Sequence, residues 1–440
     1  MSLLYRGLIR LAVGVAPLAA RRNPKIRAGL DERAGVLERF QAWADQQRDP
    51  ARPLLWIHAA SLGEARQAEA VLRVLRSRHP AWQVVVSRFS PSARGLGWEG
   101  LADLAEVLPW DRPGDVTRVL ALLEPAALVF CKLDLWPELT LQASRRSIAV
   151  GLIAGTVSPS ASRLRWPARA LLRPGYQVLQ RVGAIAPDDA ERLIRLGVRP
   201  DRITITGDPR FDSAMTRAGA IPADDPLRRF ARCGPTLVAG STWPPDEDRL
   251  LTAFRSVRRS RPDAGLILVP HEPSDAHLNR IDALAARLGL PNPQRLGRHP
   301  APVPGTLLVV DRVGILPAFY ADAAIGYVGG GFGTAGLHSV LEPAAAGIPV
   351  LIGPRWDGSP DAGGLLAARA GAVIEGSLPD WLDLDDDSTL EDADPLAALW
   401  LGLLRHPEHG RAAGGRGRRF VESGLGAAER NAEIVEQLMG

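Results

Sequence analysis

GGGFGTAGLHSVLEPAAAGIPVLIGP, residues 329–354, is the stretch that decides how this chain folds. An apolar strand, Ala324 to Val328, runs into it, and glycines at 329, 330, 331 and 333 let the backbone approach a ligand closely. Gly336 to Ala346 reads as a helix, and Gly347 leads into a second apolar strand. Free amide N–H groups at such a helix start favour anions. Glu342 lies about one turn into the helix, where its carboxylate can accept hydrogen bonds from a ribose diol. The stretch therefore predicts a place to hold a phosphorylated donor. A plain strand–turn–helix connection uses the same glycines, but the acid at 342 and the strand that follows weigh against it.

Working outward, strand and helix alternate. Strands are expected at Leu54 to Ala59, with a helix from about Ala65, and at Gln83 to Ser87, Ala126 to Phe130, Ser147 to Ile153 and Arg181 to Ala186. The scheme repeats at Thr236 to Ala239, Gly265 to Val269, Leu307 to Val310, Ala324 to Val328 and Pro349 to Ile352. Such alternation implies parallel sheets with helices on both faces. The expected class is α/β, with two Rossmann-like domains facing a central cleft, where a ligand sits at the carboxyl ends of the strands. Residues 28–212 form the first domain, 213–235 an interdomain linker rich in Ala, Asp, Pro and Arg, and 236–440 the second, its last helix able to cross back.

Composition narrows the function. A chain of 440 residues exceeds what one core usually holds, and 46% hydrophobic with 23% charged residues is ordinary for a folded protein. The pI near 9.5 hints at nucleic acid, yet the formal net charge is only +4, with Lys25 and Lys132 the only lysines. Zinc spacing, an aromatic stacking platform and a dense basic run are all missing, which excludes nucleic acid as a partner. Cys131 and Cys233 offer neither a disulfide framework nor a metal site. Asp380 to Asp394 reads as an acidic surface loop, and the arginines from Arg411 to Arg419 as a solvated helix face.

The amino-terminal segment, residues 1–27, is amphipathic. Leu4, Leu8, Leu11, Val15 and Leu18 share one helical face and Arg6 and Arg10 another, followed by the basic run Arg21 to Arg27. The arginines make it a poor transmembrane span, so it is expected to rest on a membrane surface, basic flank towards anionic lipid. A helix packed on its own domain is the competing expectation.

A second constellation is WIHAASLGEA, residues 56–65, an apolar strand that ends in a turn before a helix opens with Glu64. A carboxylate at that place can serve as general base towards an attacking hydroxyl. Ser61 followed three residues later by Glu64 is also a capping box, and spacing alone favours the cap. His58 is expected to be a satisfied core residue, and Trp136-Pro137 to pack a strand end.

His58-Ala-Ala-Ser-Leu-Gly-Glu64, Leu108-Pro-Trp-Asp111, Leu135-Trp-Pro137, Ile203-Thr-Ile-Thr-Gly-Asp-Pro-Arg-Phe-Asp212, Ala239-Gly-Ser-Thr242 and the 329–354 block occur in one order. In that order the chain resembles the 3-deoxy-D-manno-octulosonic acid (Kdo) transferases of lipopolysaccharide synthesis, from its amino terminus to its last residues. The resemblance implies a GT-B glycosyltransferase, inverting and metal-independent, without a cofactor. It implies CMP-Kdo as donor, a lipid A precursor of the lipid IVA type as acceptor, and the cytoplasmic face of the bacterial inner membrane as location. By the same resemblance Glu64 is the catalytic base. Arg210, Ser241, Gly329, Gly330, Gly331, Gly336, His338, Ser339 and Glu342 face the CMP donor, and Ser61, Gly63, Lys132, Asp134 and Trp136 contact acceptor or sugar.

The chain departs from the family pattern in three places. Lys132-Leu-Asp-Leu-Trp-Pro-Glu138 stands where Glu-Thr-Glu-Leu-Trp-Pro-Asn is common. His271-Glu272-Pro273 follows Pro270 where Arg-His-Pro-Glu is expected, and Leu337-His338-Ser339 replaces Gly-His-Asn. Three other functions stay open at this level: a related transferase with altered donor or acceptor, a nucleotide-sugar epimerase, and a non-catalytic lipid-associated binding protein.

Overall fold

The computed structural model describes residues 3–90, 97–298, 301–375, 378–382 and 394–440. The chain divides into two units: residues 1–213 together with 424–440, and residues 214–423.

The first unit is built on seven parallel strands: β1 (Leu54–His58), β2 (Gln83–Arg88), β3 (Leu104–Val107), β4 (Ala127–Cys131), β5 (Ala149–Gly155), β6 (Arg181–Ala184) and β7 (Ile203–Ile205). Their order is β3-β2-β1-β4-β5-β6-β7, so the direction of winding reverses between β1 and β4. Strict alternation along β1 explains why helices cover both faces. Leu54 and Trp56 pack into one core, with Phe40, Leu120, Leu128 and Phe130. Leu55 and Ile57 pack into the other, with Val71, Leu72, Val129 and Val435. Strands apolar on both faces are what a doubly wound parallel sheet requires.

The last helix, Ala427–Met439, packs on this first sheet. Asp212 fixes its start, accepting hydrogen bonds from the N–H groups of Gly426 (2.9 Å) and Ala428 (3.0 Å). Asn431 pins its middle, its Oδ1 accepting from the Ala154 N–H at 3.0 Å.

The second unit repeats the design with β8 (Thr236–Thr242), β9 (Gly265–Pro270), β10 (Gln294–Arg295), β11 (Leu307–Val309), β12 (Ile325–Val328), β13 (Val350–Ile352) and β14 (Gly371–Val373). The order is β10-β11-β9-β8-β12-β13-β14, again all parallel, with the reversal between β8 and β12. Leu237, Ala239, Leu268 and Tyr327 pack with Phe254 and Trp400 on one face, and Val238, Ile267 and Val269 with Phe319 and Tyr320 on the other.

Three local expectations change. The helix read from Gly336 is only Leu341–Ala345: Gly336 holds φ +88°, and residues 337–340 are irregular, so no helix start presents amides at 336. The helix expected from about Ala65 starts at Leu62, capped by Ser61. The segment read as a linker holds helix Arg228–Arg232 and the end of helix Pro209–Gly219. Most of the acidic stretch from Asp380 lies outside the described residues. In helix Pro407–Ser423 small residues Gly410, Ala413, Gly414 and Gly417 are buried, while Arg411, Arg418 and Arg419 are exposed.

The amino-terminal helix, Leu3–Ala20, is held at its first turn. The Tyr5 hydroxyl donates to Asp111 Oδ2 at 2.6 Å, and the Arg6 guanidinium makes two hydrogen bonds to Glu138, at 2.8 and 2.9 Å. Beyond that turn Leu8, Leu11, Val15 and Leu18 are exposed. With 18 residues and a mean hydropathy of 1.5, it is long and apolar enough to cross a membrane by length and composition. At 1.5 Å per residue it spans about 27 Å against a hydrocarbon core of about 30 Å. Of its two arginines, Arg6 is engaged at the protein end and Arg10 is exposed.

Candidate active site

In a doubly wound sheet the carboxyl ends of the strands on either side of the winding reversal splay apart and leave a crevice. In the first unit these are the ends of β1 and β4, and the sequence-predicted residues Ser61, Gly63, Glu64, Lys132, Asp134 and Trp136 follow them directly.

Glu64 sits in the first turn of helix Leu62–Arg78 and is only 5% exposed. Its Oε2 accepts the Ser61 N–H at 3.2 Å, so the capping contact is real. Burial raises its proton affinity above that of an ordinary glutamate, and the Asp134 charge adds to this. Lys132 and the N–H groups of Ala60 and Ser61 oppose it. The carboxylate is thus both a helix cap and a buried base with charged neighbours of both signs.

Lys132 leaves β4 with φ +69°, a conformation rare for a residue with a side chain, and Lys132 N–H donates to Ile153 O at 2.8 Å. Asp134 pairs with Arg163 at 3.1 Å. Trp136 caps helix Pro137–Arg145, packs on Phe89 at 4.7 Å and donates its Nε1–H to His58 Nε2 at 3.0 Å. His58 completes its bonding through Nδ1 to Ser87 Oγ at 2.9 Å, and burial pushes its pKa down to about 3. It is a neutral, satisfied core residue, as the sequence reading expects.

Arg210 belongs to this first unit, whereas the other residues expected at the donor belong to the second. Its guanidinium pairs with Asp208 at 2.5 Å, and the same carboxylate accepts from Gln67, one turn beyond Glu64, at 3.0 Å. Asp208 is therefore the link between the Thr206 to Asp212 motif and the helix of Glu64, a role the sequence reading missed.

In the second unit the reversal falls between β8 and β12, and Ser241 and Gly329 lie at those two strand ends. Ser241 holds φ +54° and Gly330 φ +98°. A Cβ on Gly329 would stand 2.3 Å from Ser241 O, so only glycine fits there. Asp246, fully buried in the first turn of helix Pro244–Ser260, ties the region together. Its Oδ2 accepts from the N–H groups of Trp243 and Gly330, each at 2.9 Å, and its Oδ1 from the Tyr327 hydroxyl at 2.7 Å. The Trp243-Pro-Pro-Asp246 pattern, proline in a first helical turn with an acid at its third position, is the signal that points to it.

His338 N–H bonds Gly329 O at 3.1 Å, closing the glycine loop. Its ring stacks with Trp243 and lies tilted against His271, and its Nε2 accepts the Trp243 Nε1–H at 3.0 Å. Burial, with the His271 charge second, pushes its pKa down to about 4, so the ring is neutral at physiological pH with its proton on Nδ1. Ser339 Oγ accepts from Leu341 N–H at 3.4 Å, and Gly336 has open space beyond its Cα. Glu342 is ion-paired with Arg217, and both line a cavity of about 260 Å³ with Met215, Ile221, Arg228 and Arg418. Nothing local in the sequence marks Arg217, whose partner lies 125 residues away.

Two all-parallel Rossmann units, each with its predicted residues at the winding reversal, define a protein of the GT-B class. The solved UDP-GlcNAc 2-epimerase of Neisseria meningitidis has a TM-score of 0.59 at 14% identity, covering 88% of this chain and 99% of that one, a likeness of fold. The family model for 3-deoxy-D-manno-octulosonic-acid transferase (kdotransferase) matches residues 29–213. The 3-deoxy-D-manno-octulosonic acid transferase of Bordetella pertussis is 28% identical, over 99% of this chain and 100% of the relative. That of Haemophilus influenzae is 24% identical, over 99% and 96%. The chain is thus similar to 3-deoxy-D-manno-octulosonic-acid transferases, through the family model in its first half and through these relatives along its whole length.

Proposed function

We propose that this protein transfers Kdo from CMP-Kdo to a hydroxyl of a lipid A precursor of the lipid IVA type. The observation that carries the proposal is a buried carboxylate of raised proton affinity, Glu64, at the winding reversal of a chain whose whole length aligns with Kdo transferases. The acceptor hydroxyl attacks the anomeric carbon of Kdo from the face opposite CMP. As the new C–O bond forms, the bond from the anomeric carbon to the phosphate oxygen breaks, its electron pair leaves with CMP, and Glu64 takes the hydroxyl proton. The result inverts the anomeric centre and needs no metal.

In this reading residues 28–212 bind the acceptor, with Ser61, Gly63, Lys132, Asp134 and Trp136 near sugar or lipid headgroup. Residues 236–440 bind the donor. Backbone N–H groups of Gly329 to Gly331, with Gly336, Ser241, Ser339 and the Nδ1–H of His338, meet the phosphate and sugar, Arg210 adds positive charge, and Glu342 accepts from the ribose. Residues 213–235 connect the domains, and residues 1–27 hold the protein on the cytoplasmic face of the inner membrane.

The test is mass spectrometry of a tetraacylated lipid A precursor after incubation with the purified protein and CMP-Kdo generated in situ, with and without EDTA. A gain of one or more Kdo masses in both samples is expected. A folded protein that binds CMP but adds no mass would defeat the stated donor or acceptor, and loss of transfer in EDTA would defeat metal independence.

A further inference from the structure

Among the described residues of the first unit beyond residue 27, Trp166 is the most exposed large apolar side chain, at 81%, and no role discussed so far employs it. It precedes helix Ala168–Gln177, whose inner side buries Tyr176, and its neighbours Arg165, Arg169 and Arg173 are exposed and make no ion pair among the described residues. A fourth arginine, Arg163, is taken by Asp134. Between Glu138 and Asp188 the chain holds seven arginines and neither Asp nor Glu. Of the three acids on the adjoining helix Pro187–Leu196, Asp188 and Asp189 are engaged by Arg192, and Glu191 is exposed. A bare indole set among unpaired guanidinium groups is costly against water and well matched to a membrane interface. There the ring sits at headgroup depth and the arginines meet phosphate.

Position supports the same occupant. Helix Ala168–Gln177 packs on helix Pro137–Arg145, the helix whose Glu138 holds Arg6 of the apolar amino-terminal helix. We infer that Trp166 with Arg165, Arg169 and Arg173 is a second membrane contact, one that docks the first unit on an anionic lipid surface. It rests on the reading that the protein works at a membrane, and it goes beyond an anchor made by residues 1–27 alone.

The experiment uses the full chain and sedimentation with vesicles of phosphatidylcholine, alone or mixed with anionic phosphatidylglycerol. At about fivefold per arginine near an anionic surface, R165Q/R169Q/R173Q is expected to weaken binding to the anionic vesicles on the order of a hundredfold. Binding to neutral vesicles should stay nearly unchanged. W166S is expected to weaken binding to both kinds, and wild-type tryptophan fluorescence to be quenched more by brominated lipid than that of W166F. Wild-type affinity of both W166S and the triple variant would overturn the inference, as would an arginine effect equal on neutral and anionic vesicles. Every exchange lies on the surface, so circular dichroism should report an unchanged fold. Transfer to a detergent-dispersed acceptor, measured on the same variants, separates the two readings: a failed vesicle result leaves that activity standing, and an absent activity leaves the vesicle result standing.

Discussion

Glu64→Gln separates the two things Glu64 does. As a cap, the side chain accepts one hydrogen bond, from Ser61 N–H at 3.2 Å. Glutamine is the other residue that serves at this position of a capping box, and its amide oxygen can accept the same N–H. What is lost is the charge at the helix start, about 0.3–1 kcal/mol. Against that stands the burial of the charge. Because the folded-state pKa is raised, the protonated form stabilises the fold; that contribution is present below the ordinary glutamate pKa and lost as pH rises through the raised one. A neutral amide escapes the loss, so at pH 7 the variant should unfold within about 1 kcal/mol of wild type.

As a base, the same atom removes a proton in the transition state, and a neutral amide cannot. General-base contributions are about 10²- to 10⁴-fold, some 2.7–5.5 kcal/mol in the barrier. Two measurements on one preparation therefore diverge: urea unfolding barely changes while the rate of Kdo addition, followed by mass spectrometry, collapses. In wild type, kcat/KM should rise with pH through an apparent pKa above the ordinary glutamate value, and that limb should vanish in the variant. A Glu64→Gln protein that transfers at wild-type rate refutes the base. A rate loss matched by several kcal/mol of lost stability refutes it too, because the cap alone would then account for both.

Further outcomes follow from the same contacts. Tyr5→Phe removes a hydrogen bond to a buried carboxylate, about 1.5–3 kcal/mol, and should speed amide exchange in the first turn of helix Leu3–Ala20. Gly329→Ala must push Ser241 aside and should lower the urea midpoint by about 1–3 kcal/mol of stability while abolishing CMP binding in calorimetry. Trp243→Phe keeps a ring in the stack but removes the donor to His338 Nε2; nitrogen NMR should then show the Nδ1–H tautomer losing its dominance, with protonation still below pH 5. Arg217→Gln frees Glu342 and should weaken CMP binding more than deoxy-CMP binding, read by calorimetry.

What was legible in the sequence follows from where each strand lies. The ten strands expected from apolar runs are all present, and the four that were missed, β3, β7, β10 and β14, are the four sheet edges. An interior strand of a doubly wound sheet is covered on both faces and reads as an unbroken apolar run, as in Leu54-Leu-Trp-Ile at β1. An edge strand has one flank in water and need not: β3 is Leu-Ala-Glu-Val with a half-exposed pattern, β10 is Gln-Arg. The early helix at Gly336 failed for a related reason. Composition there suits a helix, but His338 N–H is spent on Gly329 O and Gly336 holds a positive φ, so tertiary bonding overrides propensity until Leu341.

The site residues divide along a different line. Glu64, Ser241 and the glycine block were legible because each is part of a local strand-to-helix turn. Asp208 and Arg217 were not, because their partners are 141 and 125 residues away; Asp246 carried a local helix-start signal, but its bond to Gly330 spans 84 residues. Contacts distant in sequence likewise surround the residues that hold a positive φ. Ser241, with φ +54°, lies against Gly329, and Gly330, with φ +98°, is held by Asp246; Lys132, with φ +69°, is pinned through Ile153. A left-handed conformation on a residue with a side chain costs on the order of 1–3 kcal/mol and persists only where the surroundings over-determine it. Two such residues, one at each winding reversal, stand where the family resemblance implies acceptor and donor contacts, and the buried bonding around them is the physical reason those positions tolerate the strain.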